Sequence, residues 1–210
     1  MVEHSTQMES ASGVADSKLL AALSRAFYYP LNGIAETTAE LEALDVAAYP
    51  AFEGLLGEVL EKSRQFDTRT AEQLAYTRLF IGSMRMEAPP YASYYLEREH
   101  TLFGQAAVEV ESIYNQFGIE LGEKEIEPPD HLRFLLAFLS LLAGRYEETG
   151  EEAFAEAYAD FRDEYLFTWI DDCKKLVDLN AEEPYYPALM ALTVAVLRDE
   201  GGAAGAPTGD

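Results

Sequence analysis

Residues 132–143, LRFLLAFLSLLA, are apolar on every side of a helical projection apart from Arg133 and Ser140. The run outlasts an ordinary strand, yet it falls short of the roughly 18 apolar residues that cross a bilayer. A helix without a polar face has to be walled in by other helices, so this segment is expected at the centre of a helical bundle.

The rest of the chain supplies the walls. Residues 18–30, KLLAALSRAFYYP, put Leu19, Leu20, Leu23, Ala26 and Phe27 on one stripe, with Asp16 or Ser17 as N-cap and Pro30 closing the helix. Residues 37–45 and 51–66 continue the pattern, the second with Phe52, Leu55, Leu56, Val59 and Leu60 on one face. Residues 70–82, TAEQLAYTRLFIG, read as a helix capped by Thr70, with Leu74, Ala75 and Leu79 inward and Gly82 as its stop. Residues 105–121 form a further helix ending at Gly118, and residues 151–179 and 185–200 are helical on either side of a break at NAEEPYYP. Between them, residues 83–99, SMRMEAPPYASYYLERE, hold paired prolines and no helical period. They are expected to form a long irregular connection, which in a compact domain tends to carry function. With no alternating strand pattern and no fixed-period repeat, the chain is expected to be an all-α, single-domain bundle of about eight to ten helices over residues 17–200. Residues 1–16 are expected to be a disordered lead and 201–210 a disordered tail.

Thirty-eight acidic residues against fifteen basic ones give a net charge of −23. Nucleic acid and anionic membrane surfaces are repelled by such a field, and cationic partners are favoured. An acid-rich surface also serves solubility alone. Cys173 is the only cysteine, so the chain has no internal disulfide and no thiolate metal cage, and a reducing compartment suits it. The opening MVEHSTQMESASGVADS lacks the basic and apolar regions of an export signal, and a cytoplasmic location is expected.

Three histidines restrict metal chemistry. A carboxylate-bridged di-metal bundle needs two Glu-x-x-His segments, and only residues 97–100 have that spacing. GIELGEKE from Gly118 lacks the glycine spacing and the Ser or Thr of a phosphate loop. No metal or other cofactor is expected. Attention falls on EPPDH, residues 127–131, at the mouth of the apolar segment. Its prolines force extended backbone and delay the helix, leaving Asp130 where an N-cap belongs, able to accept from the amide of Arg133. The same carboxylate and imidazole could instead face a cationic ligand beside an apolar slot.

Several segments, in order, resemble the TorD/DmsD family of redox-enzyme maturation chaperones, most closely its DmsD-like branch. They are AFYYP from Ala26, YTRLFIG from Tyr76, APPYASYYLERE from Ala88, TLFG from Thr101, EPPDH from Glu127, LFTWIDDCKKL from Leu166 and PYYPALMAL from Pro184. The resemblance implies a TorD-like helical fold and a non-enzymatic chaperone that binds the twin-arginine signal peptide of a molybdenum-cofactor oxidoreductase. It also implies help with cofactor insertion and proofreading of export. Partners would be that signal peptide, the apo form of the enzyme's catalytic subunit and the Tat translocase, with monomer and domain-exchanged dimer both open. Carried over by position, the peptide-binding residues are Tyr28, Tyr76, Leu79, Phe80, Pro90, Tyr91, Asp130 and His131. Tyr76 and Tyr91 replace the tryptophans common in that branch, and Tyr165 replaces a histidine four residues before Trp169. In such a site, exposed ion pairs give only about 0–1 kcal/mol each while burying a leucine gives about 1.5–3 kcal/mol. Affinity would therefore come mainly from the apolar slot, and the preference for arginine from the carboxylates.

Two other readings stand beside this one. A NarJ-like assembly factor for a nitrate-reductase-type subunit would share the fold and act on a client that is not exported. A helical enzyme would use His131 with Glu127 or Asp130 as an acid–base pair. Helical spacing also suits Tyr28, Leu79 and Phe80 to a core, and Asp130 to a cap.

Overall fold

The computed structural model describes residues 13–82, 86–122 and 127–199. Most of the expected disordered lead, residue 200 and the whole expected tail lie outside the described residues. Among those described, the chain is all-α, with eleven α-helices and no strand beyond an isolated antiparallel bridge between Tyr91 and His131. In chain order the helices are α1 Ser17–Ala26, α2 Ile34–Thr37, α3 Ala39–Glu42, α4 Glu53–Ser63, α5 Arg69–Tyr76 and α6 Ala92–Leu96. They continue with α7 Gln105–Gln116, α8 Leu132–Thr149, α9 Glu152–Tyr165, α10 Ile170–Asn180 and α11 Tyr185–Arg198. The number exceeds the expected eight to ten because α2, α3 and α6 are single turns and the long 151–179 pattern splits at residues 166–169.

Helix α8 is central, as its composition requires, packing on α1 and α9. Leu132, Leu135, Leu136, Leu139, Leu142 and Ala143 are all fully buried. Small hydroxyls pin the α1 contact. Ser24 Oγ donates to the Arg133 carbonyl at 2.7 Å, and Ser140 Oγ donates to the Ser17 carbonyl at 2.8 Å. The expectation of burial on all sides is corrected, however. Ala137 is exposed, Leu141 is 38% exposed and Phe134 only half-buried, so one apolar stripe of α8 is left uncovered by the described residues. The second layer pairs α11 with α4 and α10.

Three further expectations are corrected. The cap of α5 is Thr68, whose hydroxyl accepts from Ala71 N at 3.2 Å, and not Thr70. Leu74 points outward and is 63% exposed, while Ala75 and Leu79 are buried. The helix then widens into a π turn at Thr77–Ile81, which Gly82 ends with φ 69°, a left-handed conformation that favours glycine. The third correction concerns residues 83–99, where α6 forms despite the paired prolines before it.

Four of the acidic side chains cap helices from a distance. Free amides at a helix N-terminus attract carboxylates. Glu147 accepts from Ser17 N at the start of α1, in addition to the local cap from Asp16 to Leu19 N. Glu72 accepts from Ile34 N at α2, Glu97 from Ala106 N at α7, and Asp130 from Ser93 N at α6. Gly104 leaves room for the Glu97 carboxylate, since a side chain there would push the end of Glu97 away from the α7 amide.

Candidate functional site

The two proline pairs meet. Pro128 opens a tight turn that His131 N closes by donating to the Pro128 carbonyl at 3.1 Å, and the backbone leaving it lies antiparallel to residues 90–92. Leu132 N donates to the Pro90 carbonyl at 2.8 Å, and Ala92 N donates to the Asp130 carbonyl at 3.1 Å. This register turns the Asp130 side chain away from its own helix. Its Oδ2 accepts from Ser93 N at 2.6 Å, in the first turn of α6. The cap of α8 is instead His131, whose Nδ1 accepts from Arg133 N at 3.1 Å. The expectation that Asp130 caps the Arg133 amide is thus corrected: His131 takes that place, and Asp130 caps a neighbouring helix.

The tautomer of His131 follows. A ring nitrogen that accepts from an amide carries no proton, so the proton of the neutral ring sits on Nε2, which faces Glu127 Oε2 at 3.7 Å. Glu127 Oε2 also accepts from Arg133 Nε at 2.7 Å. The Arg133 guanidinium lies over Phe134, 4.1 Å from the ring centroid, and over Tyr28 at 4.3 Å. Arg25 lies over the same Tyr28 ring at 4.6 Å and pairs with Glu36 at 3.6 Å. One edge of the bundle therefore alternates guanidinium, tyrosine ring and carboxylate.

Burial, with Arg133 beside it, holds the His131 imidazole well below its ordinary 6.5, and the ring stays neutral. The unfolded chain takes up this proton near pH 6.5 and the folded chain does not. The stability due to His131 is therefore complete above that pH and falls below it, by up to about 1.4 kcal/mol per unit. Asp130 acts in the opposite sense. Burial raises its carboxyl above 3.8, partly offset by the bonds from Ser93, so the folded chain is protonated first and stability is regained toward that value. Denaturant unfolding between about pH 7.5 and 5.5 is expected to show falling stability, and His131→Asn, which keeps an N-cap acceptor, to flatten the profile. An identical slope in the variant would rule out His131 as its source.

Of the eight residues singled out in the sequence, seven are buried in this conformation: Tyr76, Leu79, Phe80, Pro90, Tyr91, Asp130 and His131. Tyr28 alone is partly exposed. Pro90, Tyr91, Asp130 and His131 lie together at the bridge, with the Tyr91 and His131 rings edge to face at 4.9 Å. Tyr76, Leu79 and Phe80 belong to the core. Tyr76 donates its hydroxyl to the Phe27 carbonyl at 3.0 Å and packs on Phe80 at 5.1 Å and Tyr29 at 5.5 Å. Tyr29 carries this aromatic chain to the surface, where a cavity of about 330 Å³ is lined by Tyr28, Tyr29, Arg25, Glu36, Glu127 and Arg133, among others. Sequence reasoning did not find Arg25, Arg133 and Glu36. The available signal was an arginine set within the apolar stretch of each of two helices, Arg25 in α1 and Arg133 in α8.

With this geometry in hand, the chain can be set beside known proteins. The family model described as nitrate reductase delta subunit matches residues 34–175. The chain belongs to the nitrate reductase delta subunit family. Within this family its relatives include the Tat proofreading chaperone DmsD of Salmonella paratyphi A. That protein is 33% identical over 128 residues, covering 59% of this chain and 58% of the relative. The chaperone protein TorD of Vibrio vulnificus is 29% identical over 170 residues, 79% of this chain and 75% of that one. The match thus spans under two thirds of the length of the DmsD relatives. A solved structure from Archaeoglobus fulgidus, assigned as a candidate redox enzyme maturation protein, superposes with a TM-score of 0.54 at 25% identity, over 87% of this chain and 91% of that one. The fold and the TorD/DmsD resemblance expected from the motifs are both borne out. No described helix is long and apolar enough to cross a membrane.

Proposed function

We propose that this member of the delta subunit family is a maturation chaperone for a redox enzyme, and that it binds the twin-arginine signal peptide of a molybdenum-cofactor oxidoreductase. On this reading it acts in the cytoplasm, assists cofactor insertion and holds back export until the client has folded. Family membership and the chaperone names of its relatives support the general role. The observation that carries the peptide reading is the surface cavity at Tyr28. There an aromatic ring and the carboxylates of Glu36 and Glu127 already hold two guanidiniums of the protein itself. A site that orders Arg25 and Arg133 in this way has the chemistry to order an incoming arginine.

Arg25 is the one that can give way, since its side chain is 35% exposed and its pairing with the exposed Glu36 is long. An incoming arginine would displace it from Tyr28, with the proline bridge, Tyr91, Asp130 and His131 holding the wall behind. A non-enzymatic role fits the burial of His131. A neutral ring 1% exposed has no route to a substrate, which counts against the acid–base alternative.

Calorimetric titration with a twin-arginine peptide is the test. Tyr28→Ala is expected to weaken binding about 3- to 10-fold and Arg25→Gln to tighten it by a similar factor, with affinity falling as salt rises. The peptide reading fails if the wild-type chain binds no such peptide even at low salt. The family's description favours a second reading, in which the client is a nitrate-reductase-type subunit that is not exported. Capture of the client from cells, followed by a search for an export signal on it, separates the two.

A further inference from the structure

The cavity at Tyr28 does not stand alone. A second cavity, about 410 Å³, lies in the crevice between α1 and α8 and shares Arg25 and Tyr28 with the first. Its far wall is Ala137, which also lines a third cavity of about 160 Å³ walled by Tyr114, Ile119, Leu121, Phe134, Phe138 and Leu141. The three shared residues join these hollows into one trough along α8. Its character changes along its length. Glu36 and Glu127 line the first cavity and Glu40 the second, and Glu40 has no cationic partner among the described residues. At the other end all the lining side chains are apolar or aromatic, on the stripe of α8 left uncovered by the described residues.

We infer that this trough receives a single helical peptide segment, its basic end at Tyr28, Glu36 and Glu40 and its apolar stretch on Phe134, Ala137 and Leu141. This rests on the peptide-binding reading above and adds to it the residues that accept the apolar part. The charge gradient selects the occupant: the acidic end, on a chain of net charge −23, attracts cations, and the uncovered stripe needs apolar cover. From Arg133 to Leu141 the helix rises about 12 Å, room for about eight residues of a helix laid alongside. A segment with arginines ahead of its apolar stretch would lie parallel to α8. The buried Tyr76, Leu79 and Phe80 then back the site without touching the ligand.

The test uses the full chain and two synthetic peptides, one with paired arginines before an apolar stretch and one with that stretch replaced by serines. Leu141→Asp puts charge in the apolar end, and Ala137→Gln fills the neck between two cavities. Both positions are exposed, and thermal unfolding verifies that the variants fold. Leu179→Asp, on the exposed face of α10 and 78% exposed, is the control. Each trough variant is expected to weaken the apolar peptide about tenfold or more, to leave the weak binding of the serine peptide unchanged, and the control to match wild type. Wild-type binding that survives both trough substitutions overturns this inference and leaves the peptide reading intact. A wild-type chain that binds neither peptide overturns both.

Discussion

Leu139→Ala is expected to destabilise the chain by about 2–5 kcal/mol, read as a lower denaturant midpoint at unchanged slope. Leu139 lies on the side of α8 that is enclosed by the bundle and is fully buried. Truncating it removes apolar burial and leaves a void that close-packed neighbours fill only in part. Leu141, two residues on in the same helix, is 38% exposed on the uncovered stripe. Leu141→Ala is therefore expected to cost less than about 1 kcal/mol. The pair tests the architecture more sharply than either change alone. Equal losses would mean that the stripe is packed inside the bundle, and the trough along α8 would not exist.

The same pair marks where the sequence stopped being informative. Composition announces that residues 132–143 want apolar surroundings, but it does not say whether this chain or a partner provides them, and for Ala137 and Leu141 this chain's described residues do not. Local signals read well. Asp16 caps α1 through a bond within its own turn, and Gly118 ends the α7 segment with φ 72°. Signals that depend on distant residues did not. The first turn of α6 is hidden behind a proline pair, and its capping carboxylate is Asp130, 37 residues away. Two threonines compete at the start of α5, and only the register shows that Thr68, three residues before Ala71, takes the amide. At the candidate site Tyr28 was legible only through the family resemblance, its helical spacing alone suiting a core. Arg25 and Arg133 were not, because what unites them is the Tyr28 ring, over which Arg133 of the distant helix α8 lies together with Arg25.

Asp130→Ala is expected to cost about 1–3 kcal/mol, while Asp130→Asn stays within about 1 kcal/mol of wild type. The alanine variant strands the buried Ser93 amide and uncaps α6. Against this stands a gain, since the carboxylate is fully buried and its charged form is disfavoured there. Asparagine keeps an acceptor of the same shape for Ser93 N and removes the charge. Peptide titration on these variants then separates two roles that motif matching merges. If Asp130 works by holding α6 and the Pro90 segment behind the cavity, the asparagine variant binds as wild type does, and the alanine variant loses affinity together with stability. If the charge itself meets an arginine, asparagine loses as much affinity as alanine while remaining stable. With no exposed surface on Asp130 and its Oδ2 committed to the Ser93 amide, the first outcome is expected. The carboxylates beside the cavity that can reach a ligand without rearrangement of the proline bridge are those of Glu36 and Glu127, whose side chains are 44% and 25% exposed.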